Sequence, residues 1–504
     1  MYVGVDCGTQ GTKVVIVDTE QGSVRGEGYA PHALISDANG RREQSPTWWT
    51  EAFLEAYRLA VEHAGIDTGL IRGIGVSGQQ HGLVVLNKQG EVIRPAKLWC
   101  DTETAPENAE LLALLGGESG SIDQLGLVVA TGYTLSKLLW LKKNEPDNFA
   151  AIAHILLPHD YLNYWLTGQL AAECGDASGT GYFDVRTRRW NTNVLALISP
   201  DGQLAEALPP LIPAEQAVGK VRVELAKGMG LSDDVIVSSG GGDNMMGAIG
   251  TGNIGDGVVT MSLGTSGTIY AYSSAEPAQL HPSIAPFCSS SNGWLPLICT
   301  MNLTGAANQM RETLGLTLDA FNQRIADTPI GADGLTMLPF LSGERVPALP
   351  DATGSLLGLN MQNMTPGHLC RAVVEGTSFT LRYGLDRLRE SGIRSETIRL
   401  IGGGAKSPVW RQLIADVMNT RVVCPASSEA AALGGAIQAA WCHRHAQGQP
   451  VPLADLCEEL VAMNDSQAIE PNPVAVDAYE QAYQAYLAAI AAHHPDAGVS
   501  HGLA

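Results

Sequence analysis

Short apolar stretches broken by glycine set the pattern of the first third of the chain. Tyr2–Asp6 and Lys13–Asp18 are apolar, β-rich runs joined by the turn Cys7-Gly8-Thr9-Gln10-Gly11, and Val24–Tyr29 reads as a third strand. The period then lengthens, predicting a helix over Thr47–His63. Strand Ile71–Ser77 follows, and a hairpin is expected over Leu83–Val92, turning at Lys88-Gln89-Gly90. Residues 100–230 read as mostly helical around a loop at Gly175–Gly181, ending in strand Val235–Ser239. Further on come strands Gly257–Met261 and Thr397–Ile401. Helix Val409–Met418 is introduced by Ser407 as N-cap and Pro408 at the first position. An Ala- and Tyr-rich amphipathic helix spans Pro473–His493.

The pattern repeats. Asp6-Cys7-Gly8-Thr9-Gln10-Gly11-Thr12 at the head of the chain matches Ser262-Leu263-Gly264-Thr265-Ser266-Gly267-Thr268. Each is a strand, a GTxGT turn and a second strand, which predicts a duplicated fold of two lobes. The glycine-rich stretch Gly250–Gly257 is the expected hinge, giving lobes of residues 1–250 and 251–504. A length of 504 residues also calls for more than one domain, at ~100–200 residues each.

Charge and cysteine content narrow the classes. The net charge is −21, with 31 Lys+Arg against 52 Asp+Glu, which excludes the basic stripe that nucleic acid requires. It does not exclude ATP, because a turn of backbone N–H groups binds phosphate on an acidic protein. The nine cysteines are scattered without a CxxC pair, as expected of buried thiols in the cytoplasm. No apolar run approaches the ~18 residues of a membrane span. The chain opens into a strand with no signal-peptide pattern, so a cytoplasmic protein away from the membrane is expected.

Two stretches match GxGxxG, Gly73–Gly78 and Gly250–Gly255, but neither follows a strand and opens a helix, so both are rejected as dinucleotide fingerprints. No GxxxxGK[ST] loop is present. The paired GTxGT turns are either tight hairpins or anion-binding concavities, with hydroxyls from Thr9, Thr12, Thr265 and Thr268 and a charge from Lys13. Asp6, beside the first turn, suits a turn cap or a Mg²⁺ site completed by phosphates. Asp243 follows Gly240-Gly241-Gly242 at a helix start. Capping explains the Asp but not three glycines, which read as room for a ligand whose hydroxyl proton the carboxylate accepts. Ser77-Gly78-Gln79-Gln80-His81-Gly82, with Trp99 and Asp101 after the next hairpin, combines an aromatic with amide, imidazole and carboxylate, as sugar binding requires. Gly402-Gly403-Gly404 is either a plain βα loop or a turn for a nucleotide's base and ribose. Ala430–Ala436 is a small-residue helix suited to close packing.

These elements together resemble the FGGY carbohydrate kinases over nearly the whole chain. Three longer stretches carry the resemblance: Gly132–Leu141 (GYTLSKLLWL), Leu341-Ser342-Gly343-Glu344-Arg345, and Gly354–Leu359 with His368-Leu369 and Ala372–Glu375. The resemblance implies an α/β fold of two ribonuclease-H-like, actin-like ATPase lobes with a cleft between them. It implies ATP-dependent phosphorylation of a small sugar, with Asp243 as catalytic base and Asp6 holding Mg²⁺. It puts phosphate contacts at Thr9, Gln10, Lys13, Ser262 and Thr265, and nucleotide contacts at Gly305, Gln309 and Gly404. The loop Ser77–Gly82 is similar to that of family members acting on D-xylulose, which implies sugar contacts at Gln80, His81, Trp99, Asp101 and Asn244. Cys100 stands where those members often carry Asn, leaving ribulose, gluconate or glycerol open as acceptors. Two further alternatives stand: a homodimer, and a nucleotide-switched module without catalysis.

Overall fold

A computed structural model describes all residues except 278–280, 465, 467 and 500–504. Two sheets built on one plan dominate it. In the first, Tyr2–Cys7 pairs antiparallel with Gly11–Asp18, which pairs antiparallel with Ser23–Pro31. On its other side Tyr2–Cys7 runs parallel to Gly73–Gly78, which runs parallel to Ile236–Val237. The second sheet repeats this order. Gly257–Leu263 pairs antiparallel with Gly267–Ala271, then comes Trp294–Thr300, while Ser395–Ile401 and Arg421–Val423 join in parallel on the far side. The two GTxGT turns occupy the same place in each sheet. This is the two-lobed α/β architecture expected from the repeat, and each lobe has its own apolar core.

Helix Pro46–Ala64 covers one face of the first sheet with Trp49, Phe53, Ala56 and Ala60. The opposite face is covered from far along the chain, by helix Ala430–Ala446. Small residues make that contact possible. A Cβ on Gly4 would lie 1.7 Å from the Ala432 carbonyl oxygen, and one on Gly75 would lie 1.9 Å from that of Gly435. The same helix presses on helix Asp243–Gly250, where a Cβ on Gly434 would meet the Met246 oxygen at 1.9 Å. Gly75 and Gly250, from the two rejected GxGxxG matches, therefore serve backbone packing. The first lobe's core thus draws on residues beyond the expected 250/251 division.

Other elements follow the sequence pattern only in part. The hairpin at Leu83–Val92 forms around the expected turn, with the Asn87 N–H donating to the Glu91 carbonyl at 2.9 Å, the Ile93 N–H to the Val85 carbonyl at 3.0 Å, and a bridge from Leu86 to Val92. On its other edge Val84–Leu86 also pairs antiparallel with His154–Leu156, which helps bury all three of its residues. The loop expected at Gly175–Gly181 begins inside a short helix, Cys174–Ala177, capped by the Glu173 carboxylate. Helices Pro408–Met418 and Pro473–His493 form where the pattern puts them, the first with the Ser407 hydroxyl accepting from the Trp410 N–H.

The close helix contact yields a stability prediction. Gly434→Val forces Ala430–Ala446 away from Asp243–Gly250 and should cost at least about 1–3 kcal/mol, read as a lower Tm. Gly228→Ala, where nothing lies within 4 Å, is the control that should leave Tm unchanged or slightly higher. Equal Tm values for the two variants would contradict the packing described.

Candidate active site

Strand Tyr2–Cys7 carries Asp6 to the edge of the cleft, where its Oδ1 accepts a 3.0 Å hydrogen bond from the Ser77 hydroxyl. Burial raises the Asp6 carboxyl above the usual carboxylate range, against the pull of Ser77 and Lys13. Asp243 opens helix Asp243–Gly250, with Gly242 rather than Asp243 as N-cap. Its carboxyl is pushed up to about 7 by burial first, then by the like charges of Asp6 and Asp176. The two carboxylates therefore sit close enough to feel each other in a poorly solvated floor, an arrangement that a divalent cation relieves.

Asn244 ties this floor to the next loop. Its N–H donates to Asp243 Oδ1 at 2.8 Å, and its amide donates to Asp243 Oδ1 at 3.1 Å and to Gln80 Oε1 at 2.8 Å. Behind Gln80 lies Asp176, fully buried and 2.6 Å from His159 Nδ1. The three glycines before Asp243 turn out not to be room for a ligand. A Cβ at Gly241 would strike Ser290 Oγ at 2.4 Å, and one at Gly242 would strike Gln80 Cγ at 2.7 Å. They let protein walls close around the floor.

His81 is held in a left-handed backbone conformation, φ 64°. Such a conformation is uncommon outside glycine and needs support. The support is polar: Lys137 Nζ donates to the His81 carbonyl at 2.5 Å and the Thr134 hydroxyl donates at 3.2 Å. His81 Nδ1 lies 2.7 Å from the Gly179 carbonyl oxygen, which can only accept, so Nδ1 carries the proton and Nε2 is an acceptor. Burial, and then the Lys137 charge, lower its pKa to about 3, so the ring is neutral. Its face packs on Tyr133, with ring centroids 4.6 Å apart.

Gln80, His81, Trp99, Asp243 and Asn244 all line one half-open cavity of about 610 Å³. Trp99 is 40% exposed and donates its indole N–H to Thr9 Oγ1 at 2.9 Å, linking the cavity to the first turn. Asp101 does not join them. It is fully buried, accepting from Lys97 at 3.2 Å, from the Arg42 N–H and from the Glu103 N–H. Its place in an Asp-x-Glu ion network beside Lys97 is the signal that sequence reading passed over. That network also accounts for the cluster Glu43, Asp101 and Glu103, whose charges Lys97, Arg94 and Arg41 balance.

The remaining expected residues fall on the two turns. Gln10 and Thr9 lie at the first, closed by a Gly8 N–H to Gly11 carbonyl bond of 3.0 Å. Lys13 stands directly across from Asp6 in the strand register, its ammonium paired with Glu429 at 2.6 Å. At the second turn, the Thr265 carbonyl accepts from the Gly305 N–H at 3.2 Å, and Thr304 Oγ1 donates to the Gly264 carbonyl at 2.7 Å. Gly404 fits only as glycine, since a Cβ would lie 2.8 Å from that of Leu263. Ser262, Thr265, Gly305 and Gly404 are thereby gathered around one turn. Gln309 lies further along helix Thr304–Thr313, with its side chain exposed.

Three residues that sequence reading assigned no role also line the cavity: Tyr133, Phe287 and Arg345. Tyr133 and Arg345 lie in stretches quoted for the family resemblance, which was the available signal. Phe287 had none.

Comparison with known proteins agrees with this geometry. Residues 1–250 match the N-terminal domain of the FGGY family of carbohydrate kinases, and residues 259–443 match its C-terminal domain. The chain belongs to the FGGY family of carbohydrate kinases. It is 52% identical over 491 residues to a xylulose kinase of Haemophilus influenzae, covering 97% of this chain and 99% of that one. A solved "xyloylose kinase" from Brucella ovis superposes with a TM-score of 0.90 at 32% identity, covering 98% and 99%. A gluconate kinase from Lactobacillus acidophilus also reaches a TM-score of 0.90, at 24% identity over 99% of both chains, which shows a shared fold alone. No helix among the described residues is long and apolar enough to cross a membrane.

The raised carboxyl of Asp243 predicts a pH-dependent stability. Its folded pKa lies above its unfolded one, so the cost of its charge is fully present above about 7 and fades as pH falls toward the ordinary carboxylate range. Asp243→Asn should raise Tm at pH 8 by on the order of 2–5 °C, with the gain shrinking toward pH 4. A Tm lowered at pH 8 would contradict a buried, repelled carboxylate.

Proposed function

We propose that the chain transfers the γ-phosphoryl group of ATP to the C5 hydroxyl of D-xylulose, giving D-xylulose 5-phosphate and ADP. The observation that carries this reading is the Asp243–Asn244–Gln80 network opening onto the same cavity as His81 and Trp99. The Haemophilus influenzae xylulose kinase, at 52% identity over nearly both full lengths, supports the choice of sugar.

In this reading residues 1–250 form the sugar-binding lobe, with the catalytic Asp and the first phosphate turn, and residues 251–504 form the nucleotide-binding lobe. Neutral His81 presents Nε2 as an acceptor for a sugar hydroxyl, and Trp99 offers an apolar face. Asn244 donates to Gln80 Oε1, and both residues lie on the cavity wall. Asp243 accepts the hydroxyl proton of the acceptor. A carboxyl poised near neutrality suits that task, since phosphoryl transfer is loose and the proton leaves late. Asp6 is the carboxylate for Mg²⁺, a fit supported by its half-buried carboxyl, raised by burial, whose charge also bears on Asp243. When bound, Mg²⁺ neutralises charge on the phosphates. Thr9, Gln10 and Lys13 at the first turn, with Ser262 and Thr265 at the second, take the phosphates; Gly305, Gln309 and Gly404 take the nucleoside. Nine free cysteines suit a reducing cytoplasm.

Three measurements test this reading. ADP release should depend on added D-xylulose and exceed that with ribulose, gluconate or glycerol; sugar-independent release would contradict it. Asp243→Asn should lower kcat by at least about 10²-fold. In the wild-type protein kcat/KM should rise with pH toward a plateau with a midpoint near 7, because the base acts deprotonated. A profile flat from pH 5 to 8 would remove Asp243 from that role.

A further inference from the structure

Among the described residues Arg345 is the one arginine or lysine on the wall of the cavity, and its side chain bonds the Cys299 thiol rather than a carboxylate. Its neighbour Glu344 is turned away: its carboxylate accepts from the Met301 N–H at 2.7 Å, the Arg345 N–H at 2.8 Å and the Asn302 amide at 3.1 Å. The Arg345 side chain is exposed, and its charge reaches His81, Tyr133 and Cys299, placing it against the sugar-side wall. Ser266 and Thr268, from the second turn, line the same space. Arg345 therefore stands where the sugar loop, Asp243 and the phosphate turn of the other lobe face one another.

A neutral sugar gains little from a full cationic charge, and its hydroxyls are already matched by Gln80, His81 and Asn244. A phosphoryl group is different: a guanidinium meets its oxygens with two parallel charged hydrogen bonds. Building on the kinase reading above, we infer that Arg345 is a catalytic residue that binds the phosphoryl group as it passes to the acceptor and after it has arrived. In that step the acceptor oxygen forms its bond to the γ-phosphorus. The bond from phosphorus to the oxygen bridging to the β-phosphate breaks, ADP leaves with that electron pair, and the acceptor proton goes to Asp243. Arg345 contacts a charge that the ground-state sugar lacks. It leaves sugar binding unchanged, and it lowers the barrier because it meets the phosphoryl oxygens more closely in transit toward the acceptor than in bound ATP.

The test separates phosphate from sugar recognition. Arg345→Met should lower kcat by about 10²-fold or more while the KM for D-xylulose moves by less than about threefold. By calorimetry the variant should bind D-xylulose 5-phosphate at least about 10-fold more weakly than wild type and D-xylulose equally well. Arg345→Lys should recover part of both losses, and a retained thermal shift with ATP shows the fold intact. Equal weakening for sugar and sugar phosphate, or unchanged kcat and product binding, would overturn the inference. If wild type binds neither D-xylulose nor its phosphate, the acceptor assignment fails by itself. Arg345 is then judged by the same criterion on the acceptor that the sugar panel identifies and its phosphate ester.

Discussion

Keeping two carboxylates, Asp6 and Asp243, together in a poorly solvated floor is the constraint on which the rest of this site depends. Left in water, both would ionise below pH 5 and would be weaker bases at neutral pH. Burial raises both, with repulsion from Asp6 and Asp176 added at Asp243 and from Glu429 at Asp6, and the surrounding protein must be rigid enough to sustain that unfavourable state. The stiffness comes from backbone-to-backbone contact. Helix Ala430–Ala446 lies directly on strands Tyr2–Cys7 and Gly73–Gly78 and on helix Asp243–Gly250, with backbones meeting at Gly4, Gly75, Gly250 and Gly434. A late segment of chain thus fixes where Asp6 and Asp243 can be.

The cavity walls follow from the same logic of local constraint. His81 is kept in an uncommon backbone conformation by Lys137 and Thr134, both from the helix that also supplies Tyr133's neighbouring turn. Gln80 is held between Asn244 and the buried Asp176–His159 pair. Each group that faces the cavity has its other end anchored in protein, so little order remains to be imposed when a ligand arrives. Arg345 is exposed, with the Cys299 thiol as its side-chain neighbour, which fits a group that meets the phosphoryl oxygens on the acceptor side of the cavity.

Much of this was legible in the sequence, for reasons that differ by residue. The paired turns announced the two sheets because strand, glycine turn and strand recur with the same spacing. Asp243 was legible from its place after a strand at a helix start, and the sugar loop from its three polar residues between glycines. The meaning of Gly240–Gly242 was not, since glycine marks close approach without saying whether the visitor is ligand or protein. Asp101 was misplaced for a similar reason: one carboxylate two residues past a tryptophan carries no sign that Lys97, four residues earlier, will bury it. The pairing of Val84–Leu86 with His154–Leu156 was hidden because contacts that far apart in sequence leave no periodic trace.

The most direct test of this account is a crystal structure of the Asp243→Asn protein with D-xylulose and a non-hydrolysable ATP analogue. The account predicts the C5 hydroxyl within hydrogen-bonding distance of the residue 243 side chain and in line with the γ-phosphorus. A sugar bound with that hydroxyl facing another group, or a residue 243 side chain turned out of the cavity, would contradict it.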